Sequence, residues 1–333
     1  MKKGIILTIA LTIIAFTSVG MWGDILQAGP SLQNFPWYLI PLIAIFGFCN
    51  DLIKFFRWHV YLKKTGILIP AKKSLAIFLS GLSMSATPGK AGLLIKSQML
   101  KRLSGYTLIS TSPIIAAELY MDMIGLTLIS LFGIGLLGKG VWVALLLCML
   151  PLLGLVPGIP NFIIGLLSKI PMLSGRIIEM RKALDSMFSL FGPKILVLSL
   201  SITLIAWTSE GVALNIILKG LGFDGGIVMT TVFFGFSTLI GVLSMVPGGL
   251  VVTDASLMAL LIHAGIPATP AAIASIMARI FTLWLAVMIG SIFLIMNRNY
   301  ICGDLEENKQ IEKQKDISRY TCLQRRKKYR KIV

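Results

Sequence analysis

Long apolar segments recur along the chain and are separated by short polar connections. A run of about 18 or more apolar residues is typical of a helix that crosses a bilayer. On this criterion we predict six full membrane spans, at residues 4–22, 36–56, 112–138, 140–158, 194–218 and 270–296. The pattern therefore predicts an all-α fold, a polytopic membrane helix bundle.

Two further apolar segments are interrupted near the middle by proline and glycine. They are residues 74–99, broken at Pro88-Gly89, and residues 227–264, broken at Pro247-Gly248-Gly249. Proline removes a backbone donor and clashes with the preceding turn, so a helix ends there. The first segment has only about 14 apolar residues before its break, too few to cross a hydrocarbon layer of about 30 Å. We predict that both segments form re-entrant, broken-helix hairpins.

Basic residues are unevenly distributed among the connections, and this predicts the orientation, because cytoplasmic loops collect Lys and Arg. They are concentrated at 2–3, 54–73, 96–102, 159–193 and beyond 298, whereas 23–35 has none and 219–226 has one. Both termini should be cytoplasmic, with one hairpin entering from each side. Each hairpin lies between two spans, and Ser85-Ala-Thr-Pro-Gly89 resembles Ser244-Met-Val-Pro-Gly248. The chain thus predicts an inverted repeat, which is a transporter design.

The composition agrees with a membrane protein. Of 333 residues, 56% are hydrophobic and 14% are charged, and the mean hydropathy is +0.86. A soluble domain has about 25% charged residues. The formal net charge of +17 fits basic cytoplasmic loops beside an anionic inner leaflet, so we expect no nucleic-acid partner. Four cysteines without a CxxC motif and two histidines predict neither a metal site nor a cofactor.

Two divisions of the chain follow. Residues 1–298 form the integral membrane domain, and residues 299–333 form a basic tail that we expect to be disordered and cytoplasmic. The tail either binds anionic inner-leaflet lipid or only enforces orientation. We expect the N-terminal helix, residues 4–22, to be retained in the mature protein, although Ser18-x-Gly20 leaves signal-peptide cleavage open. The pattern of residues 174–190 predicts either an amphipathic helix that lies on the inner leaflet or a short connecting segment on the soluble side of the membrane.

Six charged residues fall within predicted membrane segments, where each costs about 2.5–3.5 kcal/mol at a helix centre. They are Lys90, Glu118, Asp122, Glu210, Asp254 and Arg279. A helix that restarts after Pro-Gly presents free N–H groups and a positive dipole end, which attract phosphate or carboxylate. Lys90 with Arg279 could therefore hold an anionic group at mid-depth, while Asp254 caps the second restart. Alternatively these charges simply pair, Arg279 with Glu118 or Asp254.

Two motifs carry a family resemblance. The first is Pro88-Gly-Lys-Ala-Gly92, followed by Lys96, Glu118 and Asp122, and the second is Pro247-Gly-Gly-Leu-Val-Val-Thr-Asp254, followed by Arg279. Through them, residues 50–300 resemble the flippase-like family related to the transmembrane region of lysylphosphatidylglycerol synthase. The chain departs from the family pattern at three positions. The family commonly has an acidic residue where this chain has Leu93, and often has Arg where this chain has Leu119 after Glu118. The second motif often ends in Glu, where this chain has Asp254.

The resemblance implies a membrane lipid transporter that moves an anionic phospholipid or a polyprenyl-phosphate-linked lipid across the cell membrane. It also implies that the residues of the two motifs bind the substrate: Pro88, Gly89, Lys90, Lys96, Glu118, Asp122, Pro247, Gly248, Gly249, Asp254 and Arg279. We expect no lysyl transfer and no catalysis, since only a short tail follows the last span. The alternatives are a membrane-embedded lipid-phosphate transferase and an accessory subunit of a cell-envelope lipid or glycan synthase.

Overall fold

The computed structural model describes residues 33–87, 93–104, 108–136, 141–154, 158–168 and 177–297. These ranges are helical, and they contain no β-strand. The predicted all-α fold is therefore confirmed for the described chain. The predicted span 4–22, the tail 299–333 and Pro88-Gly89-Lys90 lie outside the described residues.

The described helices form three consecutive sets along the chain. The first set is α1 (Ile40–Lys64), α2 (Ala71–Leu82), α3 (Ile95–Ser104) and α4 (Leu108–Phe132). The connecting set is α5 (Val141–Leu153), α6 (Ile159–Leu167) and α7 (Ile177–Ser189). The second set is α8 (Pro193–Gly220), α9 (Gly226–Leu243), α10 (Val252–His263), α11 (Ala268–Arg279) and α12 (Leu285–Met296). A π-helical turn, Ile280–Trp284, joins α11 to α12 as one continuous rod.

Within the described ranges, five helical segments are long and apolar enough to cross a membrane. They are Trp37–Lys64, Thr111–Phe132, Pro193–Gly220, Gly226–Leu243 and Ala268–Met296. Four of them correspond to the predicted spans 36–56, 112–138, 194–218 and 270–296. The first is longer than predicted, because Lys54 and Arg57 continue the helix as buried residues instead of beginning a polar loop.

The predicted span 140–158 has no described helix of spanning length. Its helix, α5, has 13 residues, which gives about 20 Å at 1.5 Å per residue. Pro151 lies in its last turn, and the chain starts α6 only after Gly158, whose φ is +96°. The apolar run was long enough for a span, but its described residues form two short helices.

The two hairpins differ in length. In the first, α2 and α3 have 12 and 10 residues, so the arm before the break is as short as predicted. In the second, α9 has 18 residues and reaches about 27 Å, while α10 has 12 residues. The second hairpin therefore has one arm of spanning length, since the apolar run before its break continues unbroken from Gly226 to Leu243.

The predicted amphipathic segment forms α7. Met187 is buried in the core beside α4, and the Phe188 ring lies 6.1 Å from the Tyr120 ring. Arg181 and Asp185 are exposed on the other side. The helix thus packs on the bundle through its apolar face.

Helices of the first and second sets pack against one another. Helices α1 and α8 pack along their length and run antiparallel, because Phe35 lies at Gly220 while Arg57 lies at Thr203. Helix α4 packs against α9, and α12 packs against α2. The closest approaches are at glycines: a Cβ on Gly290 would lie 2.2 Å from the Ser83 nitrogen, and one on Gly133 would lie 2.2 Å from a Val232 methyl carbon. Small residues permit such contacts between membrane helices.

Candidate functional site

One face of α1 carries polar residues into the middle of the bundle. Asn50, Lys54, Arg57 and Tyr61 follow one another at helical spacing and face α8 or α4. The Asn50 amide donates to the Ala206 carbonyl oxygen at 3.0 Å. The Lys54 ammonium lies 3.6 Å from the centre of the Trp207 ring, a distance typical of a cation–π contact.

Asp122 of α4 is held by two cations from this face. Arg57 Nη2 lies 2.8 Å from its Oδ1, and Lys54 Nζ lies 3.3 Å from its Oδ2. Arg57 is 1% exposed and also donates to the Thr203 hydroxyl and the Glu118 carbonyl oxygen. Arg57 therefore neutralises the charge of Asp122 from the interior of the bundle. Lys54 neutralises it from the wall of the cavity that is described below.

The sequence prediction missed Lys54 and Arg57, which it assigned to a basic cytoplasmic connection. The error arose because two cations after an apolar run resemble a span boundary. Their spacing with Asn50 and Tyr61 contained the signal, since four polar residues on one helix face indicate a buried polar stripe.

Glu118 lies one turn before Asp122 and has a separate partner. Its carboxylate is 2.7 Å from Lys96 Nζ, and both residues are buried. The same ammonium lies 4.6 Å from the ring centres of Trp58 and Phe78. Gly81 leaves room for the Lys96 stem, because a Cβ there would lie 2.5 Å from Lys96 Cγ. The Lys96–Glu118 pair thus fastens the first hairpin to α1 and α4.

The second break is a 3-10 turn, Pro247–Gly249, between α9 and α10. Gly248 and Gly249 have φ of +62° and +64°, a conformation that glycine adopts without penalty. Met245 and Val251 on either side also have positive φ, at +57° and +68°. Strained backbone of this kind clusters at binding sites and switch regions.

Asp254 and Arg279 close the second break. One Asp254 oxygen lies 2.8 Å from Arg279 Nε, and the other accepts from the Val251 N–H at 3.3 Å, so Asp254 caps α10 as the sequence predicted. Arg279 Nη1 donates to the Gly248 carbonyl oxygen at 3.2 Å. Of the two predicted acid partners, Arg279 has Asp254, in its own half of the chain. Its Nη2 is buried and has no hydrogen-bond partner among the described residues.

The two breaks meet. A Cβ on Gly248 would lie 3.4 Å from the Cα of Ala86, which lies two residues before Pro88 in the sequence. Beside this contact is a cavity of about 270 Å³. Its lining includes Ser85 and Thr87 from the first break and Gly248 and Gly249 from the second. The charged lining residues are Asp51, Lys54, Asp122, Glu210 and Arg279.

The structure divides the predicted site residues into groups. Asp122, Gly248, Gly249 and Arg279 line the cavity. Pro247 starts the turn beside the cavity, and Asp254 forms an ion pair with Arg279 without lining the cavity itself. Lys96 and Glu118 pair with each other, and neither is among the residues that line the cavity. Pro88, Gly89 and Lys90 lie outside the described residues, so their part in the site remains a prediction.

The described residues contain no group of three or more His, Cys, Asp or Glu side chains that could hold a metal ion. The cavity instead combines cations, carboxylates and apolar walls such as Phe234, Leu126 and Met123. Such a lining suits an amphiphile whose head group is charged.

Comparison with known proteins decides the family. The model of the lysylphosphatidylglycerol synthase TM region matches residues 4–290. The chain belongs to this family. Two relatives, both named "UPF0104 membrane protein" and both from Methanothermobacter thermautotrophicus (strain Delta H), are each 26% identical, over 92 and 96 residues. They cover 28% and 29% of this chain and 28% of the relative in each case.

The family match extends through the described membrane segments and confirms the resemblance found in the two motifs. The protein is a multi-pass membrane protein of the lysylphosphatidylglycerol synthase TM region family. The curated relatives are matched over about a quarter of their length, so their names add no function to this chain.

Proposed function

We propose that the protein is a flippase-like lipid transporter that moves an anionic phospholipid or a polyprenyl-phosphate-linked lipid across the membrane, without catalytic chemistry. One observation carries the proposal: the two helix breaks meet at an intramembrane cavity whose wall contains the cations Lys54 and Arg279. Charged residues in membrane segments are rare and mark the paths of substrates.

The cavity suits a head group better than a whole lipid. Its volume, about 270 Å³, is just below the range of about 300–1,000 Å³ common for small-molecule sites. A phosphorylated head group fits such a space, whereas acyl or polyprenyl chains must stay in the surrounding bilayer. Charge-assisted hydrogen bonds from Lys54 and Arg279 to phosphate are about twice as strong as neutral ones.

The packing supports an inverted repeat. The first span of each half, α1 and α8, run antiparallel in contact, and α4 packs on α9 as α12 packs on α2. This reciprocal pattern is expected of two halves related by an axis in the membrane plane. Transporters built in this way place broken helices and binding sites near the bilayer midplane.

The orientation and lipid partners are part of the same proposal. The protein resides in the cell membrane with both termini in the cytoplasm, as the basic connections indicate. Lysine and arginine near the surface contribute about 1 kcal/mol each toward anionic lipid, so the tail 299–333 adds attraction to the inner leaflet.

Transport can be tested with the purified full-length protein in liposomes. Fluorescent phosphatidylglycerol and a fluorescent polyprenyl phosphate serve as probes, and chemical quenching of the outer leaflet reports their movement. We expect at least one probe to cross faster than in protein-free vesicles, and Lys54→Met and Lys90→Met to slow it at least tenfold. Lys219→Met, at an exposed pair with Asp224, is the matched control. Movement no faster than in empty vesicles for either probe would refute the proposal.

A further inference from the structure

The cavity wall changes character between its buried side and its less buried side. Four of its charged residues are at most 9% exposed, namely Lys54, Asp122, Glu210 and Arg279, and Asp51 is half-buried. Most of the half-buried or exposed lining residues are apolar, and five of them form a surface that we call the mouth: Leu119, Met123, Val242, Leu243 and Met245. The cavity is therefore amphiphilic, with a charged interior and an apolar opening.

Two contacts show how α4 and α9, which carry these five residues or lead directly into them, lie side by side. A Cβ on Gly133, directly after α4, would lie 2.2 Å from a Val232 methyl carbon, and a Cβ on Gly235 would lie 3.0 Å from an Ile129 methyl carbon. The contact positions rise along one helix as they fall along the other. The two helices are therefore antiparallel neighbours.

The mouth lies between these two helices and away from both membrane surfaces. Continuing the register toward the start of α4 brings Met123 level with Val242, and Leu119 level with Met245. In the candidate span Thr111–Phe132, Leu119 and Met123 both lie at least about 12 Å along the helix from either end, at 1.5 Å per residue. Met245 is 66% exposed. A mouth at this depth opens onto hydrocarbon chains instead of water.

The buried side of the cavity indicates what the other end of the ligand is. Arg279 is 8% exposed and lines the wall, and its Nη2 has no hydrogen-bond partner among the described residues. Its Nε and Nη1 donate to Asp254 and to the Gly248 carbonyl oxygen. A buried guanidinium N–H without a partner is costly, and a phosphate oxygen would satisfy it. A volume of about 270 Å³ holds a head group only, so a chain attached to that phosphate must leave the cavity.

We propose that the mouth binds the hydrocarbon chain of an anionic lipid whose phosphate head group occupies the cavity. This inference rests on the proposed function and adds the route: the lipid enters sideways from the hydrocarbon layer, between α4 and the end of α9. Met123 and Met245 suit this role, because methionine is apolar and flexible and adapts to chains of different shape. The chain stays in the bilayer throughout, and only the head group passes through the protein.

The test locates lipid chains by photolabelling the full-length protein in phosphatidylcholine vesicles. Phosphatidylglycerol or a polyprenyl phosphate, each with a diazirine in its hydrocarbon chain, is added at low abundance, and mass spectrometry identifies the labelled residues. We expect at least one of these probes to label the mouth. An excess of the same lipid without the diazirine should lower this labelling about fivefold more than an equal excess of phosphatidylcholine does, because the cavity selects the anionic head group.

Exposed apolar residues elsewhere provide the control surface. Val197 and Ile205 of α8 are 66% and 59% exposed, and neither lines the cavity. Their labelling reports contact with bulk lipid, so it should respond equally to the two competitors. Labelling of the mouth that also responds equally, or a mouth that neither probe labels, would overturn the proposal; in the second case another segment covers this surface.

Three methionine-to-tryptophan variants test whether the mouth must be open for transport. Met123→Trp and Met245→Trp place a bulky ring in it, and each should slow probe movement in liposomes about tenfold. Met245 is mostly exposed, so Met245→Trp should melt like the wild type even if Met123→Trp, at a half-buried position, is less stable. Met288→Trp is the matched control, since Met288 of α12 is 55% exposed and does not line the cavity, and it should transport normally.

The outcomes separate the mouth from the transport function. If the wild type moves a probe and both Met123→Trp and Met245→Trp move it at the same rate, the mouth is not the route, and the transport function stands. If the wild type moves no probe while labelling of the mouth still depends on the head group, transport is refuted and the lipid-binding mouth stands. Slow movement in both mouth variants, with normal movement in Met288→Trp, supports the two together.

Discussion

Arg279 Nε donates to Asp254 Oδ1 at 2.8 Å, and both side chains are more than nine-tenths buried. Since the second Asp254 oxygen caps the Val251 N–H, one carboxylate fixes both the cation and the restart of α10. Breaking a buried pair from one side is costly because it leaves an uncompensated charge.

We therefore predict that Asp254→Asn lowers the free energy of unfolding by about 3–5 kcal/mol. The double variant Asp254→Asn/Arg279→Met should regain more than half of that loss, because the orphaned guanidinium is gone. Thermal melting in detergent measures both. Lys219→Met breaks an exposed pair and should change stability by less than about 1 kcal/mol. Equal melting of the single and double variants would show that the cap, not the charge, is what stabilises this break.

Lys54 and Arg57 share Asp122 but should respond differently to substitution. Arg57→Met removes the fully buried partner together with its hydrogen bonds to Thr203 and Glu118, so we expect a loss of about 3–5 kcal/mol. Lys54→Met leaves Arg57 in place, so it should melt within a few degrees of the wild type and yet move lipid poorly. Melting and liposome transport are compared for each. A Lys54→Met protein that transports normally would remove Lys54 from the anion site.

Gly290 permits α12 to approach the end of α2. A Cβ at this position would lie 2.2 Å from the Ser83 nitrogen and 2.7 Å from the Leu82 carbonyl carbon, so backbone must shift to admit it. Gly290→Ala should destabilise by about 1–3 kcal/mol. Gly165→Ala, in α6 with no neighbour within 4 Å of the new methyl group, should be neutral or stabilising by up to about 1 kcal/mol. Similar melting temperatures for the two would show that the helices separate easily.

The orientation can be read by labelling single cysteines in a cysteine-free protein. Asp224 and Ala268 are exposed at the two ends of the second hairpin, and Thr65 is exposed between α1 and α2. We predict that an impermeant maleimide added to intact cells labels Asp224→Cys and Ala268→Cys and not Thr65→Cys. Labelling of Asp224→Cys and Ala268→Cys from opposite sides would make the second hairpin a full crossing, which the 18-residue length of α9 makes a necessary check.

Hydropathy predicted the main spans because a bilayer imposes a minimum helix length on every crossing. It failed for 140–158, where the described residues of a sufficiently apolar run form two short helices, α5 and α6. It also placed the end of the first span too early. Whether Lys54 begins a loop or enters the bundle depends on Asp122, which is distant in sequence, and no local window contains that information.

The candidate site was predictable in its motifs and not in its pairings. The second Pro-Gly break and the cap at Asp254 could be derived from residue types at short range. Which cation pairs with which acid depends on which helix faces meet. Glu118 pairs with Lys96, whereas Asp122 pairs with Arg57 and Lys54. Glu210 was recognised as an intramembrane charge, but its place in the same cavity wall as Asp51 became evident only from the structure.

The burial of Lys54 and Arg57 in α1 has a consequence for synthesis. Asp122 lies 65 residues after Arg57, so α1 leaves the ribosome and meets the translocon well before its acid partner exists. Until then both cations must extend toward the lipid head groups, as long basic side chains do at helix ends. When α4 arrives, the pairs form and draw this end of α1 into the bundle. We therefore expect assembly in two steps, in which α1 first takes a shallow position and moves deeper once α4 has been made.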